Sequence, residues 1–129
     1  MTKLKPLLAT PEPAELGPGP RAGVESAPAL EQAIAVAFAR TEFPPATQEL
    51  VRALVLLWHD HLDAAHSISQ GIATPDGSLI HAIMHRREPD YWNSKYWWRR
   101  VGQHSCFLEL ARRVADLRKS TGKIGRAHV

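Results

Sequence analysis

The stretch Thr47 to Gly71, TQELVRALVLLWHDHLDAAHSISQG, constrains the fold more than any other part of the chain. It contains no proline, and its apolar residues recur every three or four positions. Leu50, Leu54, Leu57, His61, Ala64 and Ile68 form one stripe; Val51, Val55, Trp58, Leu62 and Ala65 form an adjoining one. Residues so spaced share a face of a helix, whereas strand residues alternate between faces. Thr47 suits the N-cap, and Glu49 suits the first turn, where a carboxylate meets the positive end of the helix dipole. Gly71 ends the run. The first half is apolar on most sides, so one unbroken central helix over 47–71 is expected.

Four further helical segments are expected around it. Ala29 to Arg40 ends at Phe43-Pro44-Pro45, because proline lacks an N–H donor and restricts the residue before it. Thr74-Pro75-Asp76-Gly77 reads as a turn. A helix follows from Ser78 to Arg87, broken by Glu88-Pro89-Asp90. The next runs from Tyr91 to Val101 and is closed by Gly102. Ser105 caps the last, Cys106 to Lys119, with an inner face of Phe107, Leu110, Ala111, Val114 and Leu117. No segment reads as a strand. The expectation is an all-α protein, a small bundle or orthogonal array of four to five helices.

The ends of the chain read differently. Met1 to Pro28 holds six of the ten prolines and no steady apolar period, so residues 1–28 are expected to be a disordered leader. The single helical domain is then 29–121, expected to be truncated at its C-terminus. Ile124 to Val129, IGRAHV, matches one reading frame of a widely used sequencing adapter. Residues 122–129 are therefore expected to be read-through. Without Lys123 and Arg126 the formal net charge falls from +3 to +1. That near-neutral balance argues against a nucleic-acid partner. No window approaches the roughly 20 apolar residues of a membrane span. The single cysteine, Cys106, excludes an internal disulfide and suits a reducing, cytoplasmic setting; it reads as a small core residue.

The residues that carry chemistry cluster in His81 to Trp98, HAIMHRREPDYWNSKYWW. His81 and His85 are four apart, so on a helix both imidazoles can meet one point, as a metal ion requires. Ala82 stands where the glutamate of an H-E-x-x-H zinc motif would be. His59, Asp63, His66 and Gln70 share a second face. Two antiparallel helices would bring His66 to His81 and His85 as ligands of a divalent metal, completed by Asp63 or His59. His61 lies on the apolar stripe and reads as a core histidine with a satisfied ring. His81, His85 and Glu88 are the candidate acid–base groups, since imidazole works near neutral pH in either direction.

Arg86, Arg87, Lys95, Arg99 and Arg100 bring five cations into the same region, against Glu88 and Asp90. Guanidinium forks match the paired oxygens of carboxylate and phosphate. Tyr91, Trp92, Tyr96, Trp97 and Trp98 can stack a planar ring or receive a cation. One helix face cannot bury them all. The candidate ligand-binding residues are Gln70, Arg86, Arg87, Asp90, Tyr91, Asn93, Lys95, Tyr96 and Trp97. Ion pairing and packing are the structural alternative for the same side chains.

DGSLIHAIMHRREPDYWNSKYWWRRVGQH together with WHDHLDAAHSISQ resembles a family of small helical proteins encoded in bacteria and some fungi. The shared signature is H-x-x-x-H-R-R-E-x-D-Y-x-N-S-K-Y-W, and the likeness spans roughly Leu50 to Leu117. The resemblance implies a mainly helical fold and members that continue past this chain's end; it implies no activity. The signature positions are His61, His66, Gln70, His81, His85, Arg86, Arg87, Glu88, Asp90, Asn93, Lys95, Tyr96 and Trp97. The functional expectation is a His/Arg/aromatic pocket for a small anionic ligand, with metal- or histidine-assisted chemistry. The alternative is an interaction or self-association module, a homo-oligomer included, that uses the aromatic helix 91–101.

Overall fold

The helix expected over 47–71 is two helices. The computed structural model describes residues 4–127, and side chains through residue 120. A 3₁₀ turn at Lys5–Leu8 precedes α1 (Ala27–Phe38), α2 (Pro45–Trp58), α3 (Leu62–Ser69), α4 (Pro75–Arg87), α5 (Tyr91–Val101) and α6 (Cys106–Ala127). The described residues contain no strand, so the chain is all-α. The break between α2 and α3 accounts for six helices where four to five were expected.

Long-range polar contacts hold that break. Asp60 has φ 68°. Its N–H donates to Leu57 O at 3.0 Å, and the His61 N–H donates to Leu56 O at 2.9 Å. This is the paired closing pattern of a helix that ends on a left-handed residue, a place usually held by glycine. Left-handed backbone costs a side-chain-bearing residue about 1–2 kcal/mol. The Asp60 carboxylate, almost fully buried, offsets that cost. It accepts the Arg21 N–H at 2.7 Å and pairs with the guanidinium groups of Arg21 and Arg87. Burial pushes this carboxyl up, but the Arg21 N–H and the two guanidinium groups outweigh it and hold it below the ordinary 3.8. Arg87 also donates to Leu57 O at 2.6 Å and to Gly17 O at 3.2 Å. Arg21 and Arg87 come from distant parts of the chain, so apolar periodicity within 47–71 carries no sign of them.

Several residues of the leader, expected to be disordered, contact the helices. Leu4 and Leu7 join the core formed by Leu30, Ile34, Leu56, Ile80 and Met84. The prolines leave this segment with a single 3₁₀ turn and with carbonyls free to accept from side chains. Leu7 O accepts from His59 Nε2 at 2.7 Å, and Glu25 O accepts from His61 Nε2 at 2.7 Å. Gly19, at φ +66°, lies so close to Asp60 that a Cβ would meet its carboxylate oxygen at 2.6 Å.

Thr74 to Gly77 is the first turn of α4 rather than a free turn. The Thr74 hydroxyl caps the helix, accepting the Gly77 N–H at 3.4 Å, with Pro75 at the first helical position. A Cβ at Gly77 would stand 2.1 Å from Ile72 O, so only glycine permits that approach. Asp90 caps α5, accepting the Asn93 N–H at 3.3 Å. α5 is fastened to α4 by the buried Ser94 hydroxyl, which donates to Ala82 O at 2.7 Å.

α6 departs from its expected role. Every residue from 108 to 120 is exposed. Leu110, Val114 and Leu117, expected to face inward, are solvent-facing. The helical period of that segment identifies an apolar face and says nothing about a partner for it. The side chains of the expected read-through stretch Ile124–Val129 lie outside the described residues. No helix among the described residues is long and apolar enough to cross a membrane.

Candidate functional site

His66 on α3 and His81 and His85 on α4 converge. One ring nitrogen from each lies within 4.8 Å of the others. His81 and His85, one turn apart, present near-parallel rings with centroids 5.0 Å apart and planes 21° apart. His66 meets both edge-on, at 4.6 Å and 5.2 Å. His81 and His85 are buried; His66 is half-buried.

Each ring also touches a side chain outside the cluster. His81 stacks on Trp97 of α5, with centroids 3.8 Å apart and planes 8° apart. His85 Nδ1 donates to Glu88 Oε1 at 2.5 Å, and Asp90 Oδ2 stands 3.9 Å from the same nitrogen. That contact leaves His85 Nε2 for the cluster, the arrangement in which a carboxylate fixes the tautomer and raises ligand basicity. The Gln70 amide contacts His66 Nε2 at 3.2 Å. Burial pulls the His81 imidazole down to about 4, and the neighbouring His66 and His85 add to the shift. It is therefore neutral at physiological pH, the form that ligates metals and accepts protons.

The break after α2 removes two expected partners. His59 faces the leader, where Nδ1 accepts the Glu25 N–H at 3.2 Å and Nε2 donates to Leu7 O. Asp63 is exposed on α3 and does not complete the cluster. His61 is half-buried and bonded to backbone.

The ligand-binding candidates divide into four groups. Trp97 and Gln70 touch the histidine cluster directly, as does Glu88, an acid–base candidate. Arg87 does not: it is buried in the Asp60 ion-pair knot, with donors directed at protein acceptors. Asp90 and Asn93 bond each other at the start of α5, where Asn93 Nδ2 donates to Asp90 Oδ2 at 2.7 Å. Those hydrogen bonds hold the Asp90 carboxyl below its ordinary value. The remaining candidates form the outer wall. Arg86 lies over Tyr91 at 4.8 Å, Tyr96 meets Trp97 edge-on at 5.2 Å, and Lys95 is exposed.

Arg100 belongs to that wall although it was not among the expected ligand-binding residues. It lies over Trp97 at 5.4 Å and over Tyr96 at 5.7 Å. Its spacing of three and four from those aromatics on one helix was the available signal. Neither protein-family models nor curated proteins nor solved structures give a match to this chain.

Proposed function

We propose that the face formed by α3, α4 and α5 is a ligand site at which His66, His81 and His85 hold a divalent metal ion beside a small anionic ligand. The observation that carries this reading is the convergence of three ring nitrogens, each from a side chain oriented by a further group. Imidazole suits borderline ions such as zinc, with metal–nitrogen bonds of about 2.0–2.1 Å and four-coordinate geometry. Three protein ligands leave a fourth position for water or a ligand oxygen, the pattern of catalytic rather than structural sites. An ion so held supplies Lewis-acid activation of that water or oxygen.

The chain's own groups do the rest. Glu88 fixes His85 by accepting its Nδ1 proton. Trp97 covers one face of His81 and keeps water from it. Arg86 and Arg100 stand at the aromatic wall, where a guanidinium fork can meet an anion. Titration of metal-free protein with Co2+ tests the reading. One equivalent should bind, with the visible absorption of a nitrogen-ligated tetrahedral ion, and His85→Ala should abolish it. The absence of any such absorption in the folded wild-type protein would contradict it.

A further inference from the structure

α5 exposes an unusual surface. Trp92 is 82% exposed and Tyr91 53%, with Tyr96 and Trp98 also open to solvent. The helix carries Lys95, Arg99 and Arg100 and no acidic residue. Among the described residues, neither these three nor Arg86 pairs with a carboxylate, whereas Arg21, Arg52, Arg87, Arg112 and Arg113 do. Arg86 and Arg100 rest on aromatic rings instead. Ser94 and Val101 are buried and Trp97 half-buried on one side of α5, so Trp92, Lys95, Tyr96 and Arg99 point away from the core at helical spacing. Aliphatic side chains are absent from that outer face. Its apolar area consists of flat rings, and its polar area is cationic.

Stacking rings interleaved with uncompensated cations fit a ligand with a planar ring at one end and a phosphate at the other. We propose that the α5 surface binds a nucleotide unit, with its base on Trp92 or Tyr96 and its phosphate held by Lys95 and Arg99. This rests on the reading that the α4–α5 face holds an anion, and is independent of a metal at the histidines. Two sources offer the same chemistry, a free nucleotide and a single strand of nucleic acid. A strand would present successive bases to successive rings, as sequence-tolerant single-strand binders use them. The local charge is what matters: the net charge of +3 is spread over the whole chain, whereas every charged side chain of α5 is cationic.

The test uses metal-free protein and four probes: AMP, adenosine, inorganic phosphate and a short oligodeoxyadenylate. Binding is followed by tryptophan emission and calorimetry. AMP should quench emission saturably and bind about tenfold more tightly than adenosine or phosphate alone, since each fragment lacks one half of the contact. Trp92→Ala and the pair Lys95→Gln/Arg99→Gln should each weaken AMP by about tenfold. These side chains are exposed, so circular dichroism should show the fold intact. Affinity per site that is higher for the oligonucleotide than for AMP would assign the strand; equal affinity would assign the free nucleotide. Adenosine binding as well as AMP would overturn the proposal, as would variants that bind like wild type or a lack of saturable quenching by AMP and the oligonucleotide alike. Phosphate binding as tightly as AMP would keep the anion reading and overturn the nucleotide. Because no metal is present, loss of the Co2+ site would leave this outcome unchanged.

Discussion

His81 lies flat against Trp97, with ring centroids 3.8 Å apart and planes 8° apart. The contact joins α4 to α5 at the site and removes one face of the imidazole from water. It also gives the protein an internal reporter, because an ion bound at His81 would sit one ring away from an indole.

Trp97→Leu should therefore do more than weaken packing. With that face opened, the His81 titration should move up from about 4 toward the ordinary 6.5. Metal affinity should fall by roughly 10–100-fold, the usual cost of losing a group that orients a ligand. Histidine ring resonances followed by NMR across pH would show the shift. An unmoved titration would mean that Trp97 does not shield His81.

Stability should fall in acid through His81. Its native value is depressed, so the unfolded chain holds more protons than the native one between about 6.5 and about 4. Stability is full above that window, and up to roughly 3 kcal/mol is lost as pH falls through it. Asp60 adds a loss at still lower pH, since its carboxyl is held below 3.8 and must be protonated on unfolding. Urea unfolding of wild type and His81→Gln at neutral and mildly acidic pH measures the first effect. Equal slopes with pH in the two proteins would contradict it.

Arg86 and Arg87, adjacent in sequence, should behave as opposites. Arg87→Met removes one of two cations from buried Asp60 and should cost about 3 kcal/mol or more. Arg86→Met should leave stability nearly unchanged and weaken anion binding. Asp60→Asn should resemble Arg87→Met. Denaturant midpoints and ligand titrations of the three variants separate the roles. Equal stability of the Arg87 and Arg86 variants would refute the ion-pair knot.

The parts legible in sequence are those governed by local rules. Tyr91–Val101 lies between the Glu88-Pro89-Asp90 break and Gly102, and both ends fall where those residues place them. The His81–His85 pair follows from helical spacing alone. His66 lies beside that pair, as expected, despite the break, because α3 still folds back against α4. The break itself was not legible, since Asp60 holds left-handed backbone only with help from Arg21 and Arg87. The place of His59 is hidden for the same reason: its partners, Leu7 and Glu25, lie in a leader whose prolines suggest disorder. In sequence Arg87 reads as half of a ligand-binding pair, because adjacency to Arg86 hides their different partners, Asp60 and Tyr91. α6 shows the reverse error, an amphipathic pattern whose apolar face remains exposed.

The most direct test of the central claim is elemental analysis of the protein purified without a histidine tag, beside its His81→Ala/His85→Ala double variant. One equivalent of a divalent transition metal in the wild type, absent from a folded double variant, is the predicted result. A wild-type protein without metal, and unable to take up zinc or Co2+ after purification, would contradict it and leave the three imidazoles as a hydrogen-bonded scaffold behind the aromatic wall.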